Sequence, residues 1–266
     1  MRILFIGDIV GKPGVEAVTA VLPGLVESEA VDLVIANAEN ACGGAGLTCR
    51  IYRRLRAAGV AVLTLGDHIY KQADVLRLLA EEEPVVKPAN FPPEAPGREA
   101  VIVPARDGTP VGVFSLLGRL YMRPVDCPFK AADRVLNHFA GKTRCIVVDV
   151  HAEATGDKAA LGRYLDGKVS AVLGTHTHVP TADECIFPGG TAFLTDVGMT
   201  GPYESILGRR IECVLQANLT FLPIRYDVAT GDPRLAGVVV DIRPEDGRAV
   251  AIRRIMVPAS GTAPAP

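Results

Sequence analysis

The chain has 266 residues, 48% of them hydrophobic, with a formal net charge of -2. That length and apolar content suit a folded α/β protein with a substantial core, as one large domain or two small ones. The small negative charge excludes a surface built for nonspecific or stable nucleic-acid binding, which needs a clear basic excess. The opening apolar run ends at Asp8, short of the ~7–15 residues of a secretory core, and no run approaches the ~18 needed to cross a bilayer. A cytoplasmic protein with no membrane contact is the expectation.

Residues Arg2 to Ile6 read as a strand that ends at Gly7-Asp8, and a helical pattern follows through Val15, Val18, Val21, Leu22 and Leu25. The same grammar repeats. Asp32 to Ala36 is a strand leading into Asn37-Ala38-Glu39-Asn40 and a glycine turn at Gly43-Gly44-Ala45-Gly46. Thr48 caps a helix through Ile51, Leu55 and Ala58, whose four arginines between Arg50 and Arg56 form a solvated face. Val60 to Leu65 is a third strand, ending in Gly66-Asp67-His68, with a helix through Val75, Leu76 and Leu79 after it.

The proline-rich stretch from Pro84 to Pro96 is irregular apart from a brief pairing at Val85-Val86. Ala100–Val103 and Val111–Leu117 read as a hairpin, 118–128 as a loop and Lys130–Phe139 as a helix. Arg144–Val150 is a strong strand ending in His151, and a helix over Lys158–Leu165 leads to a buried strand over Val169–Leu173. That strand breaks into Gly174-Thr175-His176-Thr177-His178. At a strand end, side chains two apart point the same way, so two imidazoles can face one site. Further strands are expected at Thr191–Leu194, Val214–Leu222, Leu235–Ile242 and Val250–Val257, the last two as a hairpin. No composition shift marks a linker, so 1–258 is expected to be one domain with 259–266 a frayed tail. The six cysteines contain no CxxC pair and read as reduced thiols in or near the core, which argues against a thiolate zinc site.

Five strand ends thus offer Asp8, Glu39, Asn40, Asp67, His68, His151, His176 and His178. Each has a bland reading as a cap, turn or core residue; their recurrence at successive strand ends is what coincidence explains poorly. In open α/β sheets ligands bind at that edge. Carboxylate and amide oxygens mixed with imidazoles suit Mn, Fe or Zn, and about seven donors are enough for two ions sharing a carboxylate. Asp149, Glu153 and Asp196 flank the set, in positions to orient its histidines. His138 sits in an expected helix away from it.

Gly7-Asp8, Asn37-Ala38-Glu39-Asn40, Gly66-Asp67-His68, His151-Ala152-Glu153-Ala154-Thr155, Gly174-Thr175-His176-Thr177-His178 and Thr195-Asp196-Val197-Gly198-Met199-Thr200-Gly201 occur in that order. This series resembles the calcineurin-like metallophosphoesterases, and within them the YmdB-like group of bacterial 2′,3′-cyclic nucleotide phosphodiesterases. The resemblance runs from Met1 to about Val257. It implies a layered α/β sandwich of two mixed sheets flanked by helices, and two divalent ions, Fe or Mn foremost, with Zn or Mg as alternatives. By the same carry-over Asp8, Glu39, Asn40 and His178 hold one ion, Asp67, His151 and His176 the other, Glu39 bridges, and His68 is the general acid. Asp67 departs from the asparagine of the pattern and adds a negative charge, while Val10 stands where the wider superfamily has a histidine.

The activity so implied is hydrolysis of a small phosphodiester, most simply a 2′,3′-cyclic nucleotide of the cyclic AMP type, to a nucleoside monophosphate. Paired ions would activate water and offset phosphate charge while His68 protonates the leaving ribose oxygen. A phosphomonoesterase of the same superfamily, or a noncatalytic metal-stabilised signalling or scaffold protein, remains as an alternative. An amidohydrolase ranks behind them, because its His-x-His closes the first strand. The sheet edge that would carry the site leaves other surfaces free for homo-oligomer formation.

Overall fold

The computed structural model describes residues 1–81 and 83–259. The first half runs β1 (Arg2–Ile6), β2 (Asp8–Ile9), α1 (Gly11–Ser28), β3 (Leu33–Asn37), α2 (Cys49–Ala57), β4 (Val62–Thr64), a 3-10 turn at Ile69–Lys71, α3 (Val75–Ala80) and β5 (Val85–Val86). Next come β6 (Ala100–Pro104), β7 (Pro110–Leu117), α4 (Pro128–Phe139), β8 (Cys145–His151), α5 (Thr155–Leu165) and β9 (Ala171–Thr175). The chain closes with β10 (Cys185–Ile186), β11 (Ala192–Leu194), β12 (Met199–Glu204), α6 (Ile211–Thr220), β13 (Gly231–Ile242) and β14 (Ala249–Pro258).

These strands form two mixed sheets. One has the order β2-β12-β13-β1-β3-β4-β5 with β14 beside β13, and the other β10-β11-β9-β8-β7-β6. The apolar residues sort into layers accordingly. Ile3, Phe5, Ile35 and Val62 of the first sheet meet Val113, Val147, Leu173 and Leu194 of the second in one cluster between the sheets. On the outer face of the first sheet, Leu4, Ile6 and Val34 pack under Val18 and Leu22 of α1 and Tyr52 and Leu55 of α2. Phe114, Val148 and Val172 do the same on the outer face of the second sheet, under Val135 and Phe139 of α4 and Leu161 of α5. The result is the four-layer sandwich expected from the resemblance. Strands covered on both faces read as unbroken apolar runs, and β8 is the clearest case, with all seven residues buried.

Parallel pairing sets where the chemistry falls. β1 runs parallel to β3 and β3 to β4, while β7 runs parallel to β8 and β8 to β9. The carboxyl ends of these strands therefore share one edge in each sheet, and bonds between the sheets bring the two edges together. Ser115 Oγ donates to the Leu65 carbonyl at 3.1 Å, and Asn37 Nδ2 to Asp149 Oδ2 at 2.9 Å.

Several local expectations stand. Thr48 Oγ1 accepts from the Ile51 amide, and Arg50, Arg53, Arg54 and Arg56 lie exposed along α2. The β6–β7 and β13–β14 hairpins form, and Val85-Val86 pairs with β4. One expectation needs correction. The stretch Val214–Leu222, read as a strand, is helical in α6 up to Thr220, and Phe221 closes it in the left-handed conformation at φ 57°. A short apolar run has no period that separates a strand from a helix, and no residue of α6 is buried, so packing imposes no sheet register there. The cysteines agree with the expectation of reduced thiols in or near the core: all six are unpaired, Cys145 is buried, and Cys49 and Cys185, partly buried, pack against that core. In the expected tail, Ala259 donates its amide to the Pro233 carbonyl at 2.8 Å, and 260–266 lie outside the described residues.

Gly174 marks where β9 runs closest to the segment after β11. A Cβ there would lie 1.7 Å from the Thr195 carbonyl oxygen and 2.7 Å from its carbon, so backbone would have to move. Gly174→Ala should lower stability by about 1–3 kcal/mol or more, read as a fall in the urea midpoint at constant slope.

Candidate metal centre

At the joined edge Glu39, Asp67, His151 and His176 each turn one ligand atom inward, and these atoms all lie within 4.8 Å of one another. His151 Nε2 is 3.1 Å from Glu39 Oε1, 3.3 Å from Asp67 Oδ1 and 3.0 Å from His176 Nδ1. Gly66 allows this approach: a Cβ there would fall 2.3 Å from both Glu39 Oε2 and His151 Cδ2.

The other expected residues surround this core. Asp8 is fully buried and accepts the His176 amide on Oδ2 at 3.0 Å, with Oδ1 3.9 Å from His151 Nδ1. Asn40 directs Nδ2 at Glu39 Oε1, 3.1 Å away, and at His178 Nε2, 3.2 Å away, while its Oδ1 faces His68 Nδ1 at 2.7 Å. As placed, then, the amide oxygen of Asn40 serves His68, and it is the nitrogen that faces Glu39 and His178. His68 opens the 3-10 turn, donates its own amide to Glu39 Oε2 at 3.2 Å, and has Nε2 3.8 Å from Asp67 Oδ2. His138 lies exposed on α4, outside the group.

Supporting bonds set the tautomers. The Thr175 hydroxyl donates its single proton to Asp149 Oδ1 at 2.6 Å, so its contact with His151 Nδ1 at 2.9 Å is one it accepts. His151 is thereby held as the Nδ1–H form with Nε2 toward the cluster. His178 Nδ1 faces the Leu207 carbonyl at 3.1 Å, a pure acceptor, which leaves Nε2 toward Asn40. Asp149 is buried, and burial pushes its carboxyl above the usual range against the pull of nearby His151; Asn37, Thr64 and Thr175 all donate to it.

The loop joining the two histidines is anchored from behind. His176 and His178 have φ of 93° and 65°, a region that side chains other than glycine rarely occupy. Asp196 Oδ2 accepts the Thr177 amide at 3.2 Å, the Thr177 hydroxyl at 2.6 Å and Lys158 Nζ at 2.7 Å. Asp149 and Asp196 thus orient the histidine-bearing segments, as their flanking positions suggested. Glu153 Oε2 lies 3.2 Å from His176 Nε2. Asn37, Thr64, Thr175, Thr177 and Lys158 carry no signal in sequence that separates them from core or turn residues. Only a buried threonine or lysine inside an apolar element would have pointed to them.

The electrostatics fit a cation. Burial pushes the Asp8 carboxyl up to about 6, against the pull of His178 and His151. Burial also opposes the charge on Glu39, but His151 beside it brings that carboxyl net below its usual range. Asp67 likewise loses to burial and gains more from His151 and His68, ending well below the ordinary carboxylate value. His151 is raised well above an ordinary histidine despite its burial, because Glu39 and Asp67 hold its proton. His176 is lowered to about 4 by burial and by His151. Asp8 Oδ1 and Asp67 Oδ1 are buried with no hydrogen-bond donor. Two orphaned carboxylate oxygens among imidazoles match the donor set for Mn, Fe or Zn.

A sequence profile of the family described as YmdB-like protein matches residues 4–255. The chain is 45% identical over 257 residues, 97% of each chain, to the 2′,3′-cyclic-nucleotide 2′-phosphodiesterase of Bacillus subtilis (strain 168). A crystal structure of a hypothetical protein from Thermus thermophilus superposes with a TM-score of 0.91 at 46% identity, covering 97% of this chain and 99% of that one. The calcineurin-like phosphoesterase YfkN of Bacillus subtilis shares the fold at 14% identity and a TM-score of 0.60, over 98% of this chain and 91% of that one.

Two outcomes are expected from this geometry. Lys158→Ala leaves Asp196 buried and unpaired, since the two side chains are 1% and 0% exposed, and should cost about 3–5 kcal/mol in denaturant unfolding at neutral pH. Cation binding must displace protons from Asp8 and His151, both held above their usual values. Manganese affinity measured by calorimetry should therefore fall steadily as pH drops through about 6, with protons released on binding.

Proposed function

The chain belongs to the YmdB-like protein family, and from that premise we propose that it hydrolyses 2′,3′-cyclic nucleotides at a dinuclear centre. The observation that carries this reading is that His68 lines the same cleft as Glu39 and His176 of the Glu39–Asp67–His151–His176 cluster. The name of the Bacillus subtilis relative supports the substrate class.

In this reading Asp67, His151 and His176 hold one cation, Asp8 and His178 the other, and Glu39 serves both. Asn40 joins the second set only if its amide turns over and gives up His68; the 2.7 Å contact to His68 Nδ1 favours it as the partner of that ring instead. Iron or manganese suits the mixture of carboxylates and imidazoles, with zinc or magnesium as alternatives. When bound, the two cations supply Lewis acidity, bringing the pKa of water toward neutrality and offsetting phosphate charge.

The protein's own groups do the rest. Because the amide oxygen of Asn40 can only accept, His68 Nδ1 carries a proton toward it, and the transferable proton sits at Nε2 on the cleft side. Water gives up one proton to solvent and its oxygen bonds to phosphorus, the bond from phosphorus to O2′ breaks, and His68 Nε2 gives its proton to that alkoxide, regaining one from solvent and leaving a nucleoside 3′-monophosphate. Glu39 accepts the His68 backbone amide, so the carboxylate shared by the cations also fixes the base of the acid's turn.

His68→Ala should keep its metal content by elemental analysis yet lose ~10²–10⁴-fold in turnover. Near-wild-type turnover would remove His68 from the acid role. The assay should pair 2′,3′-cyclic and 3′,5′-cyclic nucleotides with an aryl phosphodiester and an aryl phosphomonoester. Cleavage of the monoester alone would replace the diesterase reading with a phosphomonoesterase. Metal binding without any turnover would point to the scaffold alternative.

A further inference from the structure

The cleft that holds the cluster has a second half that the hydrolytic chemistry does not use. Its volume is about 340 Å³, and its lining passes from Glu39, Asn40, His68, His176 and His178 to Ile206, Leu207, Val214 and Tyr226. Leu207 and Tyr226 are 51% and 44% exposed. A phosphate group has no apolar surface to place there. Small-molecule sites of roughly 300–1,000 Å³ combine such apolar walls with a few fixed polar groups.

One fixed polar group stands in this half. Arg209 lines the same cleft, and its guanidinium donates to the carbonyls of Gly44 at 2.7 Å, Tyr226 at 3.1 Å and Gly43 at 3.4 Å. Gly44, at φ 84°, is shaped to it: a Cβ there would lie 2.3 Å from Nη1. The guanidinium is thus held in place by neutral oxygens. Among the described residues no carboxylate forms an ion pair with it, and nearby Asp227 is engaged by Arg225 at 3.5 Å. Of its five N–H donors these bonds use three, so one on Nη2 and that on Nε remain.

We infer that the wall of Ile206, Leu207, Val214 and Tyr226 is a nucleobase subsite, and that Arg209 reads the base edge with its two remaining donors. The inference rests on the nucleotide reading above. Tyr226 offers the one aromatic ring of this wall, and a base stacks on such a ring whatever its identity. A paired donor from arginine matches an adjacent carbonyl oxygen and ring nitrogen, which guanine presents at O6 and N7 and cytosine at O2 and N3, whereas adenine carries an amino group in place of the carbonyl. The subsite therefore favours guanine over adenine, while stacking alone tolerates any base.

The test is calorimetric titration of the manganese-reconstituted protein with guanosine 3′-monophosphate, adenosine 3′-monophosphate and inorganic phosphate. The guanine nucleotide should bind about tenfold or more tightly than phosphate, and more tightly than the adenine nucleotide. Tyr226→Ala should lose about tenfold for both nucleotides with phosphate binding unchanged, and Tyr226→Phe should keep wild-type affinity. Arg209→Leu, which keeps a side chain in the wall but has no donor, should abolish the preference for guanine over adenine. Equal binding of all three ligands by the wild type would overturn the subsite, as would variants that weaken phosphate as much as nucleotide. If the binding pattern holds while 2′,3′-cyclic nucleotides are not cleaved, the reaction assignment fails and the subsite stands. Cleavage without base-dependent affinity is the reverse.

Discussion

Three carboxylates, the fully buried Asp8 and Glu39 and the half-buried Asp67, are gathered at one edge with little water to screen them, and most of the surrounding architecture answers that one constraint. Taking charges out of water costs several kcal/mol per ion unless opposite charge or hydrogen bonds replace the solvent. Here His151 stands between Glu39 and Asp67 and partly neutralises both. Even so, two of the carboxylate oxygens remain without donors. Repulsion left over in this way is what a pair of cations would relieve, so stability and cation binding draw on the same few atoms.

The imidazoles can only play their part if the correct nitrogen faces inward, and that is settled one layer out. Asp149, buried between the sheets, takes the Thr175 proton, and Thr175 in turn takes that of His151. The Leu207 carbonyl does the same for His178. Backbone conformations as unfavourable as those of His176 and His178 cost of order 1–3 kcal/mol each. They persist because Asp8, Asp196 and the Met199 amide hold that loop from three directions. The segment that carries Leu207 and Arg209 also bonds to the glycine turn after Asn40, so the cleft wall and the ligand-bearing loops are tied to one another.

How much of this was legible in the sequence follows from what each residue depends on. Strands such as β8 and β9 announce themselves because burial on both faces demands an unbroken apolar run. Asp8, Glu39, Asp67, His151 and His176 stand out because each is a polar residue just where such a run stops. The helix α6 was misread because its apolar residues face solvent, so their pattern reports no core. The supporting residues were illegible for the opposite reason: Thr64, Thr175 and Lys158 look like ordinary members of their strand or helix until the second sheet lies over the first. Asn40 was read as a ligand on its neighbourhood in sequence, and its orientation toward His68 appears only once β3 and β4 are side by side.

By itself, then, the sequence determined the strand-and-helix order and the list of residues able to hold cations, because hydrophobic periodicity and side-chain chemistry are local properties. Tertiary structure decided which four of those side chains share one point and which nitrogen of each imidazole faces inward. It also decided what the rest of the cleft offers a substrate. Those are questions of ångström-scale distance between residues more than a hundred positions apart, as with Asn37 and Asp149. Only the stacking of two sheets fixes such distances.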